Sequence, residues 1–154
     1  YYALYLLRQL GDNFLARGNG WYAARTQTKI CIIAYHYKHI SNLYAMGERF
    51  DMTETDRYTM FEPSESLYLE LELQNMEDRE YLLTEYILNR HHGSLYDAWI
   101  EMGSETLVSD TERGFLEARS VPALRKSKMT AKNGTLVLRP QLELLEVRLM
   151  ILSL

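Results

Sequence analysis

Residues 89–103, with the sequence NRHHGSLYDAWIEMG, decide the fold class because they place a short helix directly after a strand. The apolar run Tyr81–Leu88 that precedes them predicts the strand. Ser94 is a typical N-cap residue with Asp97 three positions later, and Gly103 suits the left-handed residue that ends a helix. The predicted apolar face of the helix consists of Leu95, Ala98, Trp99 and Met102. The stretch therefore predicts a capped helix inserted into a chain that is otherwise rich in strand patterns.

Strand patterns occupy most of the remaining sequence. Alternating apolar and polar residues predict a strand at Leu67–Leu73, with its polar residues facing water, and a second alternating strand at Leu145–Leu152. Lys29–Tyr37 has apolar residues at both odd and even positions, which is typical of a central strand covered on both faces. Shorter strands are predicted at Trp21–Arg25, Ala123–Thr130 and Thr135–Leu138. The last two flank Asn133-Gly134, a strong hairpin signal.

Together these patterns predict a mainly β fold, an antiparallel β-sandwich over residues 13–154 with a two-helix insert at about 94–119. Ser109 and Glu112 form a capping-box pattern that opens the second helix of the insert, and Pro122 ends it. Residues 11–20 are rich in turn formers and carry no strand prediction.

The N-terminus carries a separate helical pattern at Tyr2–Leu10, with Ala3, Leu6, Leu7 and Leu10 on one face and Gly11 as the stop. This helix does not fit the sandwich pattern. Residues 1–12 are therefore interpreted as the last element of something upstream, and the sequence as a fragment of a longer polypeptide.

Composition excludes several classes of protein. The chain has 154 residues, a formal net charge of −4, and one cysteine, Cys31. A disulfide framework is excluded, and Cys31 is predicted to be a buried apolar residue within a strand. No apolar run is long enough to span a membrane, and we expect a cytoplasmic protein. The acidic balance argues against direct binding of nucleic acid, as does a small basic cluster that lacks interleaved aromatics, Arg125, Lys126, Lys128 and Lys132.

Four blocks of sequence resemble the C-terminal region of glycoside hydrolase family 39, the β-xylosidase type. They are Ala3–Tyr22, Ile32–Ala45, Tyr86–Gly103 and Asn133–Leu152, in the family's order. The resemblance implies that the N-terminal helix is the last helix of an upstream (β/α)₈ barrel. His36 departs from the pattern, since family members often carry Asn between the two tyrosines.

The resemblance also implies that the chain carries no catalytic residue and needs no cofactor. The family uses two glutamates on the barrel for retaining hydrolysis, about 5 Å apart, and one of them follows an Asn. This sequence contains no Asn-Glu dipeptide. Both glutamates would therefore lie upstream, and the chain is expected to be inactive alone.

Candidate contacts with carbohydrate or with another domain are aromatic. They are Tyr35, Tyr37, His39, Tyr44 and Trp99, and Trp21 is a further aromatic of the same kind. Aromatic faces stack on sugar rings, but aromatics also fill cores and interfaces, and the packing interpretation is favoured. The four histidines lack the convergence that a metal site needs, so no metal is predicted. Glu70 and Glu72 alternate with leucines and are interpreted as a solvated face.

The long connection His39–Pro63 is the segment in which we expect function, because loops of this length are usually functional or packed against something else. It holds Arg49, Asp51, Asp56 and Arg57, which could cover the barrel or contact another subunit. The alternative is simple covering of a sheet edge.

Three roles follow. The first is a non-catalytic accessory domain that supports the upstream barrel of a β-xylosidase-like enzyme and contributes to homo-oligomer contacts, with xylo-oligosaccharide bound through the parent. The second is the sugar-sensing or remnant glycosidase-like region of an AraC-type transcriptional regulator. The third is a carbohydrate-binding module. The upstream reading frame discriminates the first two roles: an Asn-Glu barrel motif favours the enzyme and a helix-turn-helix pair favours the regulator.

Overall fold

The computed structural model describes residues 1–47, 53–61, 65–107 and 109–154. Within these ranges the chain is mainly β, with short helices. The strands are β1 Asn13–Gly18, β2 Trp21–Arg25, β3 Lys29–Tyr35, β4 Leu67–Tyr68, β5 Leu71–Gln74, β6 Glu80–Leu88, β7 Ala123–Thr130, β8 Thr135–Leu138, β9 Gln141–Leu142 and β10 Val147–Ser153. The helices are α1 Tyr2–Arg8, α2 Asn42–Ala45, α3 Leu95–Glu101 and α4 Asp110–Arg119, with a 3-10 helix at Glu54–Met60.

Six strands form one antiparallel sheet in the order β1-β2-β3-β10-β6-β7. The centre is β3 beside β10, with Ile33 opposite Leu149, and Leu149 is in turn opposite Tyr86 of β6. Apolar residues on both parities of β3 fit this place, because both faces of the central strands are covered. The prediction of a mainly β, antiparallel fold with a few short helices is confirmed.

One face of the six-stranded sheet is covered by a second layer, made of the two-stranded sheets β4-β9 and β5-β8. The main core lies between the layers and includes Ile32, Leu83, Leu136, Leu142 and Met150, all nearly inaccessible. Each such side chain contributes roughly 1.5–3 kcal/mol when fully buried, so this layer dominates the stability of the domain. We call this side of the sheet the second-layer face.

The opposite side of the sheet, here called the α1 face, is covered by helix α1. Leu6 is fully buried against Cys31, Ile33 and Leu149. The helix predicted at Tyr2–Leu10 is present, although it ends at Arg8. That α1 ends a barrel stays a prediction. Cys31 is 1% exposed, as predicted for a buried apolar residue, and this burial raises the pKa of its thiol.

The turn-rich stretch 11–20 proves to contain a strand. β1 pairs antiparallel with β2, with a bulge between Phe14 and Ala16. Every residue of β1 is exposed, so no burial pattern marks it in the sequence. Its pairing with β2, rather than periodicity, makes it a strand.

The continuous strand predicted at Leu67–Leu73 is wrong, because the structure divides it into β4 and β5. The leucines do point to the core, and Glu70 and Glu72 are exposed as predicted. The interruption lies opposite Pro140, which has no N–H to donate to a ladder. Only the carbonyl of Pro140 is used, accepting from Leu69 N–H at 3.1 Å.

Asn133-Gly134 forms the predicted tight turn, but the predicted hairpin is wrong. Asn133 and Gly134 have φ values of 52° and 76°, and Lys132 pairs with Thr135 across the turn. Beyond this bridge the two flanking strands separate, since β7 pairs with β6 in the large sheet and β8 pairs with β5 in the second layer. The turn therefore passes the chain from one layer to the other.

The helical insert has the predicted caps. The Ser94 side chain accepts from Asp97 N–H at 3.2 Å, and Ser109 and Glu112 form a complete capping box. Gly103 follows α3 with a φ of 99°, as a left-handed residue at a helix end should. The predicted apolar stripe of α3 holds only in part. Ala98 is buried, whereas Leu95 and Met102 are exposed.

Candidate functional site

The five predicted contact residues lie in three parts of the described chain. Tyr35 ends β3 and is 43% exposed, and Tyr37 and His39 follow it, both exposed, with their rings in edge contact at 5.2 Å. Tyr44 is half-buried on α2. Trp99 lies on α3 in a different aromatic group.

Trp99 packs within the insert. Its ring is 6.0 Å from that of Tyr96, and its indole N–H donates to the carbonyl of Glu105 at 2.9 Å. Tyr96 in turn meets the ring of Tyr58 in the 3-10 helix at 6.3 Å. Among the described residues, no ring contact joins Trp99 to Tyr35, Tyr37 or Tyr44. A single stacking platform made of all five residues stays a prediction without a supporting contact.

The described part of the connection 39–63 packs against the insert. The Tyr96 hydroxyl donates to the carbonyl of Glu54, and the guanidinium of Arg57 lies over the Tyr96 ring at 5.2 Å. Asp56 accepts instead from the Thr53 hydroxyl within its own 3-10 helix, at 2.8 Å. Arg49, Asp51 and Pro63, which belong to the same predicted segment, lie outside the described residues.

Asp97 joins the connection, the insert and the strand that precedes it. The carboxylate accepts from the Ser94 hydroxyl, from Tyr58 Oη at 2.5 Å and from Arg90 Nε at 3.3 Å. The Arg90 guanidinium also lies 3.7 Å from the Tyr58 ring centroid. Asp97 is thus a helix-start carboxylate, as predicted, with a tertiary role that its position in the sequence does not reveal.

This environment changes the acidity of Tyr58. Burial disfavours the phenolate and is the main cause that raises the pKa of Tyr58, and the hydrogen bond and negative charge of Asp97 raise it further. Arg90 and Ser94 act in the opposite direction and lower it. The hydroxyl therefore acts as a hydrogen-bond donor rather than as a base.

A buried charged network lies at the start of β10. Glu146 is 1% exposed, and its Oε1 accepts from Arg148 Nε at 2.8 Å and from a terminal nitrogen of Arg148 at 2.6 Å. Arg148 also reaches Glu85 at 3.4 Å and donates to the carbonyl of Gln141 at 3.0 Å. Sequence alternation placed Glu146 and Arg148 on the polar side of the predicted strand Leu145–Leu152, and the structure buries them because the second layer covers that face.

Asn89 connects this network to the start of the insert. Its side-chain amide donates to Glu146 Oε2 at 3.0 Å, and its Oδ1 accepts from the backbone N–H groups of His91 and His92, both at 3.0 Å. A buried carboxylate thus fixes the turn that begins the decisive stretch of sequence. The signal that could have revealed it was the lone Asn between the strand and Gly93, a common turn former.

The charged network forms the floor of a cavity of about 370 Å³, here called the polar cavity. Its other walls include Asn89, His92, Arg125, Gln141 and Glu143. The His91 Nε2 lies 3.7 Å from a Glu143 carboxylate oxygen at the rim. Sequence reasoning missed this cavity, because it forms between residues that are up to 82 positions apart (66 and 148).

A second, larger groove of about 660 Å³ lies between β5 and the β2-β3 side of the sheet. Its lining is mostly apolar and includes Trp21, Ile30, Leu71 and Tyr81. Trp21 is half-buried against the main core, which supports the packing interpretation for this residue.

The α1 face is covered only in part. Six apolar side chains of this face and of α1 itself are between 42% and 72% exposed: Leu4, Leu7, Phe14, Tyr35, Leu82 and Leu124. Their placement follows from alternation along the strands, since Leu82 shares a parity with Tyr86, and Leu124 lies opposite Tyr86.

The part of the chain that the structure describes contains no group of three or more His, Cys, Asp or Glu side chains arranged to hold a metal ion. None of its helices is long and apolar enough to cross a membrane.

Comparison with known proteins gives a result for structure alone. No protein-family model and no curated protein matches the sequence. A monomeric β-xylosidase from Caulobacter crescentus CB15 matches with a TM-score of 0.71 and 20% identity, over 99% of this chain and 30% of that one. The GH39 enzyme from Xanthomonas axonopodis pv. citri matches with a TM-score of 0.73 and 14% identity, over 99% and 29%.

A GH39 β-xylosidase from Caulobacter crescentus matches with a TM-score of 0.61 and 18% identity, over 99% of this chain and 27% of that one. The chain thus spans less than a third of the length of the enzymes that it matches. The resemblance predicted from four blocks of sequence is confirmed at the level of the fold. The chain has the fold of the non-barrel portion of glycoside hydrolase family 39 enzymes.

Proposed function

We propose that the chain is a non-catalytic accessory β-sandwich domain of a β-xylosidase-like glycoside hydrolase. Its role is to support a catalytic barrel in the same polypeptide. The fold likeness supports the kind of parent protein. The single observation that carries the role is the partly uncovered α1 face.

The α1 face has the chemistry of an interface. Six large apolar side chains are exposed on or beside it, and exposed apolar patches on globular domains commonly mark contact with another protein surface. Leu6 is an example of such a contact, because this side chain of α1 is fully buried against the sheet. A barrel that covers the remaining side chains would gain up to roughly 1.5–3 kcal/mol for each one fully buried.

The carboxylates of the chain fit a structural role. Retaining hydrolysis needs two carboxyl groups about 5 Å apart that face a sugar, one as acid and one as nucleophile. Glu85 and Glu146 instead both bind Arg148, with Arg148 13% exposed between them. Their charges are used to hold a buried guanidinium.

The test measures whether the barrel binds at the α1 face or elsewhere on the surface. We expect the isolated chain to bind its barrel, supplied as a separate polypeptide from the upstream reading frame, and to show no turnover of an aryl β-xyloside. The double change Leu82→Glu and Leu124→Glu should weaken this binding at least about tenfold, because it places two charges in an apolar contact. Calorimetry measures the binding.

The matched control is Met46→Glu, which places a carboxylate directly after α2, at a residue that is 74% exposed. It should leave binding to the barrel unchanged. Equal weakening by the control, no binding by the unaltered chain, or xyloside turnover by the isolated chain would each contradict the proposal.

A further inference from the structure

The polar cavity is built more rigidly than a surface depression. Its floor carboxylate, Glu146, is 1% exposed and is held by both Arg148 and Asn89. Arg148 is fixed from its other side by Glu85 and by the carbonyl of Gln141. Groups held in this way lose little conformational freedom when a ligand binds, which favours recognition of small molecules.

The lining carries no excess of charge of either sign. Two carboxylates, Glu143 and Glu146, are matched by two guanidinium groups, Arg125 and Arg148, so the formal charge of the lining is zero with the histidines neutral. A cation or an anion would therefore meet no excess of opposite charge. A neutral ligand suits this cavity best.

The remaining polar groups both donate and accept hydrogen bonds. Gln141 has an amide side chain, whose nitrogen donates to Tyr68 Oη at 2.9 Å, His92 has an imidazole and Ser66 has a hydroxyl, all on the cavity lining. The Asn89 amide, by contrast, is already engaged with Glu146 and with two backbone N–H groups. Hydroxyl groups of a ligand also donate and accept, so they can pair with any of these. The volume of about 370 Å³ lies near the lower end of the range for small-molecule sites, roughly 300–1,000 Å³.

We propose that the polar cavity binds one neutral, hydroxyl-rich molecule of monosaccharide size. The cavity opens on the second-layer face, because Arg125 lies opposite Glu85 and Ile87 also lines it. The proposed barrel contact uses the opposite side of the sheet. Sugar binding can therefore fail while barrel binding persists, and the reverse is also possible.

The experiment titrates the complete 154-residue chain with D-xylose, D-glucose and glycerol, and follows backbone amide NMR shifts. We expect saturable shifts with the two sugars at residues around Asn89 and Gln141, with weak affinity because a neutral ligand of this size makes few contacts. Glycerol should bind much more weakly, since it cannot span the cavity.

Arg125→Ala locates the site, because Arg125 is exposed and its loss should not affect folding. It should weaken sugar binding roughly tenfold through the loss of a charged hydrogen-bond donor. Lys126→Ala is the matched control, since the neighbouring side chain has the same charge and points to the other side of the sheet. It should leave the affinity unchanged.

A second variant, Gln141→Ala, should also weaken the binding of both sugars. Four results would overturn the proposal. They are no saturation by either sugar up to roughly 0.1 M, equal loss in the Arg125 and Lys126 variants, glycerol binding as tight as the sugars, and binding of sulfate or calcium in place of sugar.

Discussion

At the scale of single residues, the buried pair of Glu146 and Arg148 has the largest predicted effect. The two side chains lie on the covered face of a central strand, 1% and 13% exposed, with two contacts below 2.9 Å. Sequence alternation placed both residues on the polar side of the strand, because it cannot show that a second layer covers that face. The same alternation located the leucines of β10 correctly.

Replacing Glu146 by Ala should lower the free energy of unfolding by about 3 kcal/mol, because Arg148 would lose its main partner while still buried. Urea unfolding measures the loss. Glu143→Ala is the control, since Glu143 is half exposed and, among the described residues, its carboxylate forms an ion pair only with the exposed His91. Its effect should stay below about 1 kcal/mol, and equal losses would show that Glu146 contributes no more than a surface charge.

Tyr58 should make stability depend on pH in the alkaline range. The unfolded chain releases this proton near 10.0, whereas the pKa in the folded chain is higher. The folded state therefore keeps the proton to higher pH, and the contribution is complete below the unfolded pKa. It is lost as the pH rises from that value through the folded pKa.

The measurement compares the unaltered chain with Tyr58→Phe by urea unfolding at about pH 8 and about pH 10.5. The stability difference between the two proteins should shrink at the higher pH. All other residues are identical in the two proteins, so their contributions cancel in this comparison. A constant difference would contradict the role of Asp97 as the partner of the neutral hydroxyl.

At the scale of elements, the sequence predicted features made by neighbouring residues, such as helix caps, and missed features that depend on strand pairing. The caps of α3 and α4 were predicted because a cap is made within four residues, as Ser109 and Glu112 show. The strand β1 and the break between β4 and β5 were missed, because they depend on pairing with β2 and on Pro140 far along the chain. Pairing partners distant in sequence leave no local pattern.

The packing of helix α1 on the sheet can be tested through its buried residue, Leu6. Leu6→Ala should lower the free energy of unfolding by roughly 2–5 kcal/mol, since the side chain is fully buried over the sheet. It should also speed the reaction of Cys31 with a thiol reagent, because α1 covers this residue. Leu4→Ala is the control, as Leu4 is 72% exposed. Equal labelling rates in the two variants would show that α1 does not protect the thiol.

At the scale of the whole molecule, the antiparallel β fold and the order of its blocks could be predicted, and the distribution of strands between the layers could not. Asn133-Gly134 illustrates the reason. Its sequence specifies a tight turn, and both left-handed residues are present. Whether the chain leaving a turn rejoins its neighbour or crosses to the other layer depends on where the apolar faces of β7 and β8 find cover. The polar cavity was hidden for the same reason.

The two edges of the six-stranded sheet differ in a way that bears on how the molecule meets other chains. β7 presents Arg125, Lys126 and Lys128, all exposed, and positive charges on an edge strand oppose the approach of another copy. β1 presents Phe14 and Leu15, 56% and 44% exposed, together with one positive charge, Arg17, and a bulge between Phe14 and Ala16. Three positive charges therefore oppose pairing at β7 more strongly than one charge and a bulge do at β1, and a strand that extends the sheet is favoured to join at β1.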